Sequence, residues 1–340
     1  MNFLEGLAKV RAEDSKLTER VVTVNQLTAE PDGLYAAGER LHLSGKGFEQ
    51  LCGRFRHQPA VPASYLASLP TPIYADLLRH HLNAGMEGGN TIALYSRDQA
   101  VTGIGRPDLV RLPGTEVMEA VLDGMGGRED ELEITRLAFG DDSVRFDLVT
   151  QRAEREVKPG DVVYAGVSVF HSLTGESATR VEGHLHRLKC LNGAVHRECV
   201  GPRRLPRTRR LNANHPKARA QQREQIRRLS ADAFEKLNRR LDDLSRLTTE
   251  PADLEHLAPN WLRRSRLSPS RLMPMLRQAY AEEGGDGTAY AIMNAFTRVA
   301  THQTDLSPNI RNILARMGGL LAFGHSRLCS KCWSLIAASN

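Results

Sequence analysis

No run of about eighteen apolar residues occurs in this chain, so no segment reads as a membrane-spanning helix. The first residues, MNFLEGLAKVRAEDSK, interrupt a short apolar start with Glu5 and Lys9 and so lack the long apolar core of a secretory signal. Cysteine is scarce: five in 340 residues, an odd number, reads as reduced thiols of a cytoplasmic protein rather than a disulfide framework. The nucleotide and hydrolase signatures are missing too. SGKG, at residues 44–47, lacks the G-x-x-x-x-G-K-[ST] spacing that wraps phosphates in backbone amides, and GIG at Gly103 runs into Arg106 and Pro107 with no third glycine before a helix. Neither a G-x-S-x-G elbow nor an H-E-x-x-H pair occurs. The acids of REDELE and GDD fall in expected turns or strand starts, where solvated carboxylates need no catalytic role. Nothing here calls for an enzyme or a cofactor.

What the chain has is charge in one place. Residues 187–228 carry 13 Lys and Arg against Glu198 and Glu224, a local +11 within a whole-chain net of +6, so the remainder carries −5. Concentrated positive charge on a mildly acidic body is the footprint of a polyanion binder. Arg203, Arg204, Arg207, Arg209 and Arg210 crowd into eight residues, and guanidinium forks match phosphate oxygens bidentately. With Arg187, Lys189, Lys217 and Arg219 they form the candidate phosphate-binding set, able to hold a nucleic-acid backbone without reading bases. The competing reading is a solvated, Arg-rich loop and helix face. No Phe, Tyr or Trp lies in residues 187–228, so stacking on unpaired bases would fall to residues such as Tyr164 or Phe170, which read equally well as core aromatics.

The patterning indicates an α+β fold: an antiparallel β-meander with helices packed on it and a helical C-terminal part. Helical spacing covers Phe48, Leu51, Cys52 and Phe55; Pro62 opens a short turn of helix, and Pro72 starts a helix through Leu82. TIALYSRDQAVTGIG reads as a hairpin, and residues 116–125 as a helix. Four strands follow, ELEITRLAF, SVRFDLVT, DVVYAGVSVFHS and ESATRVEGHLHRLKC, with period-two alternation at Val144, Phe146 and Leu148 and at Val163, Val167 and Val169. Their short connections join only antiparallel neighbours. A basic arm leads to a long helix over about residues 216–247, whose Phe234, Leu237, Leu241 and Leu244 stripe docks on the sheet or on another copy of the chain; two helices at residues 288–302 and 308–323 follow. The expected subdivisions are residues 1–125, 126–200 and 201–340.

The stretch HLHRLKCLNGAVHREC, residues 184–199, gathers ligand-type side chains. On an extended strand His184, His186 and Cys190 share a face, and two histidines at i and i+2 can ligate zinc or iron. The remaining ligands must come from elsewhere, and His171 falls some residues away from His184 along the partner strand. Cys329 and Cys332 form half of a zinc knuckle that Cys190 and Cys199 could complete; as ordinary thiols they need no metal.

Several stretches resemble a known family. GKGFEQLCGRFRHQPAVPASYLASLP, LYSRDQAVTGIG, GDVVYAGVSVFHSLTGESATRVEGHLHRLKCLNGAV and TAYAIMNAFTRVA together are similar to a bacterial phage- and plasmid-borne family known only as domain of unknown function nine-three-two. The most specific run is Gly160, Asp161, Ser172, Thr174, Gly175, then Arg187, Leu188, Cys190, Asn192 and Gly193. The resemblance spans about residues 41–323 and departs from the family pattern at TGIGRPDLVRLPG. It implies carriage on a mobile genetic element. The layout of hairpins, helix and basic segment also resembles Rad52-type single-strand annealing proteins, an analogy of fold that would make Cys190 a small buried hydrophobe and would suit a homo-oligomer.

The expectation is therefore a non-enzymatic nucleic-acid-binding protein, DNA more than RNA, supporting annealing, recombination or replication. Two alternatives remain open: a metal-dependent nuclease or hydrolase using His184 and His186, and an antagonist that binds an acidic host protein through the same arm.

Overall fold

The computed structural model describes residues 1–55, 62–86, 91–107, 111–175, 177–187, 192–196, 216–239, 241 and 243–323. The chain opens with helix α1 (Phe3–Lys16) and strands β1 (Thr18–Thr23), β2 (Leu27–Glu30), β3 (Gly33–Ala36) and β4 (Glu39–Leu43). Helices α2 (Gly45–Cys52), α3 (Ala63–Ser68) and α4 (Thr71–Ala84) precede the hairpin β5 (Thr91–Arg97) and β6 (Ala100–Gly105), then α5 (Gly114–Met125). The meander is β7 (Leu132–Phe139), β8 (Ser143–Lys158), β9 (Asp161–Ser172), β10 (Arg180–Arg187) and β11 (Asn192–His196). Helices α6 (Pro216–Arg239), α7 (Asp243–Leu247), α8 (Leu254–Arg264), α9 (Pro269–Glu282), α10 (Ala289–His302) and α11 (Pro308–Phe323) complete it.

The fold is α+β, with two sheets. One is six-stranded and mixed, in the order β1-β5-β6-β4-β3-β2, antiparallel except where β4 runs parallel to β6. The other is the five-stranded antiparallel meander β11-β10-β9-β8-β7, each strand paired with its neighbour in sequence. The β5–β6 turn places Asp98 and Gln99 both at positive φ, 48° and 69°, the backbone that lets a two-residue turn match strand twist.

Alternation in the meander makes one face apolar. Phe146, Leu148, Val167, Val169 and Val181 bury that inner face against Phe3 and Leu7 of α1, Val117 and Val121 of α5, and Ile226 and Leu229 of α6. Thus α1 and α5 share a core with the meander and with α6, and no core boundary falls at residue 125. Gly124 permits the α5–α6 contact: a Cβ there would lie 2.2 Å from the Arg227 carbonyl oxygen. The Leu237, Leu241 and Leu244 stripe is buried within the chain, Leu237 over Gly183 of β10, in a second core with α8 to α11. The long helix ends at Arg239, and α7 resumes from Asp243. A third core joins the six-stranded sheet to α2, α3 and α4.

Candidate functional site

Strand β10 organises the site, because its alternate residues serve two unlike neighbourhoods. Val181, Leu185 and Arg187 turn to the inner face, whereas Arg180, Glu182, His184 and His186 turn outward.

Arg187 is not a phosphate contact: it is 7% exposed and its guanidinium is committed inside the protein. Nε and Nη2 donate to the two carboxylate oxygens of Asp161, each at 2.6 Å, and Nη1 donates to Glu283 at the end of α9. The Tyr290 hydroxyl of α10 donates to Asp161 at 3.0 Å, and its ring lies under the guanidinium. Burial alone would lower the Arg187 pKa, but hydrogen bonds to Asp161 and Glu283 raise it above the ordinary arginine value. This lock joins the meander to the C-terminal helices. It also accounts for three motif pieces, since Asp161 comes from GDVVY, Arg187 from GHLHRLKC and Tyr290 from TAYAIMN.

The other motif pieces meet at a second junction. Gln50 of α2 accepts the Ile104 amide at 2.7 Å and donates to Asp142 at 2.7 Å, bridging β6 to the β7–β8 turn. Thr174, fully buried and bonded to Ser172 at 3.1 Å, packs over Gly103, where a Cβ would meet its methyl at 2.5 Å. These residues clamp turns together, a role that their spacing in sequence does not reveal.

On the outer face the polar groups are buried. Asp147, 3% exposed, accepts from the Ser168 hydroxyl and pairs with Arg145 at 3.4 Å. Burial opposes its charge, but His184, Arg145 and Ser168 outweigh it, holding its carboxyl below the usual range. Glu182 pairs with Arg316 of α11 at 2.9 Å. His184 is 3% exposed and neither ring nitrogen has a hydrogen-bond partner among the described residues; burial pushes its pKa down to about 4. His186 lies beside it, ring centroids 6.3 Å apart, and burial lowers its pKa too. His171 cannot complete a cage with them, because it pairs with Val144 on the inner face and bonds Thr179 at 2.8 Å and the Leu112 carbonyl at 2.9 Å. Among the described residues no three His, Cys, Asp or Glu side chains gather as metal ligands.

Of the arm, Lys217 is exposed at the start of α6, while Arg219 pairs with Glu116 of α5. Arg223 reaches Asp123 at 3.2 Å, and Arg227 and Arg228 both bond Glu224 at 2.7 Å, which holds its pKa near 2. Lys189, Arg203, Arg204, Arg207, Arg209 and Arg210 lie outside the described residues, as do Cys190, Cys199, Cys329 and Cys332. Among the described residues no helix is long and apolar enough to cross a membrane. Comparison with protein-family models, curated proteins and solved structures finds no match to this chain.

Proposed function

We propose that this chain is a nucleic-acid-binding protein that grips the phosphate backbone through the segment between β10 and α6. The observation that carries the reading is where the chain concentrates its positive charge. Arg187, Arg219, Arg223, Arg227 and Arg228 are matched by carboxylates of the fold. Residues 189–217 hold eight Lys and Arg against Glu198 alone. The fold anchors both flanks of that segment, at β10 in the sheet and at α6 on α5. A tethered, cation-dense segment with no aromatic residue suits backbone contact without base readout. The family resemblance supports carriage on a mobile genetic element, and the fold analogy to Rad52-type annealing proteins supports a cytoplasmic role in annealing, recombination or replication on DNA, with a homo-oligomer as the working form. Catalysis has no part in the reading, and no cofactor is required.

The test is a salt titration of binding to single-stranded DNA. Replacing Arg203, Arg204, Arg207, Arg209 and Arg210 with Ala removes up to five phosphate contacts and should flatten the log–log salt slope by about 3.5, at about 0.7 per contact on single strands. An unchanged affinity and slope would overturn the proposal.

A further inference from the structure

A second feature of the meander, outside the arm, bears on what kind of nucleic acid is held. Ala138, Arg145, Phe170 and Arg180 stand side by side across β7, β8, β9 and β10 in register. The neighbouring rung on the same face is Arg136, Asp147, Ser168 and Glu182. Directly opposed residues place their Cβ atoms about 5 Å apart, so these eight side chains form one surface. The carboxylates in it are buried and committed, Asp147 to Arg145 and Ser168, Glu182 to Arg316. The arginines reach the rim. Arg136 opens to solvent at the rim and, among the described residues, forms no ion pair; the partial burial of its stem against the sheet, and then the like charge of Arg145 and Arg311, lower its pKa. Arg180 lies 4.5 Å over the partly exposed Phe170 ring and, among the described residues, has no carboxylate partner either. The rim therefore joins surplus cations to an aromatic ring already stacked on a guanidinium, and both partners of that stack can accept a flat π-face.

We propose that this rim is a platform for unpaired nucleotides, on which Phe170 and Arg180 stack a base while Arg136 takes a neighbouring phosphate. The inference rests on the nucleic-acid reading above and adds a strand preference to it. A duplex keeps its bases stacked on one another and offers the ring nothing, whereas a single strand offers a face at every base.

Fluorescence anisotropy with the full-length protein tests it, using an oligothymidylate, an abasic strand of equal length and a duplex. The wild type should favour the oligothymidylate over the abasic strand by about tenfold, within the range of one stacked base. Phe170→Leu should erase that preference and leave abasic and duplex binding unchanged. Arg136→Gln should lower the single-strand salt slope by about 0.7, the loss of one phosphate contact. Equal wild-type affinity for thymidylate and abasic strands overturns the platform without any substitution, so the result does not depend on how a variant folds. A preference that survives Phe170→Leu overturns it as well. DNA binding that depends on the arm but ignores these changes would sink the platform alone, whereas a wild type that binds no DNA would sink the reading beneath it.

Discussion

On the inner face of the meander Phe146, Leu148, Val167 and Val169 are fully buried among apolar neighbours; one residue along each strand, on the outer face, Asp147, Ser168 and His184 are almost as buried among polar ones. A solvated outer face is the ordinary partner of a packed inner face in an antiparallel sheet. Here the outer face is instead largely withdrawn from water, with its acids committed to arginines and one imidazole left without a hydrogen bond among the described residues, at a desolvation cost. The inner face supplies stability through area, and the outer face spends some of it to hold charged groups in position.

The sharpest break in this comparison comes at the inner end of β10, where a charge lies among apolar side chains. Arg187→Ala strips Asp161 of its bidentate partner and leaves two buried carboxylates facing each other, so stability should fall by about 3–5 kcal/mol in chemical denaturation. Close behind, Phe146→Ala should cost about 3–5 kcal/mol as a core cavity. Phe170→Ala, on the outer rim of the same sheet, should cost about 1–2 kcal/mol, a partly buried ring and its cation–π contact, well below the core cavity. Equal losses at these two positions would erase the distinction between the faces.

Acid should act on the outer face first. The folded protein holds His184 at about pKa 4 against an ordinary 6.5, so between those values the unfolded chain binds a proton that the folded chain does not. Stability should therefore decline as pH falls from 6.5 towards 4, by up to about 1.4 kcal/mol per pH unit for this group. His186 and His171, also lowered by burial, add in the same direction. Denaturation at pH 7, 6 and 5 measures the slope, and His184→Leu should flatten it by up to one proton. The smallest change is expected outside the sheet. Arg219→Ala removes a partly exposed pair with Glu116 and should shift stability by less than about 1 kcal/mol, read as a thermal midpoint nearly that of the wild type.

Much of the meander was legible in the chain because its signals are local. Period-two alternation in β8 and β9, the turn sequence GDD, and Pro72 at the start of α4 all act within a few residues. The missed elements lack such signals. Strand β1 exposes its first four residues and so shows no alternation, and α8 and α9 carry Pro259 and Pro274 inside the helix, where proline normally argues for a break. At the site, the histidine pair on one strand face was legible from spacing; that it would be buried with no third ligand among the described residues was not.

By itself the sequence determined the element types, the meander and the density of cations over residues 189–217, since propensity, periodicity and composition are written in neighbouring residues. Which arginines are consumed was decided by tertiary structure. Arg187 opens the same basic run as the arm, yet its carboxylates lie 26 and 96 residues away, and only the pairing of β9 with β10 and the docking of the C-terminal helices bring them within hydrogen-bond reach. An ion pair acts over a few ångströms of space whatever the separation along the chain, so the division between structural and available charge is made when the fold closes.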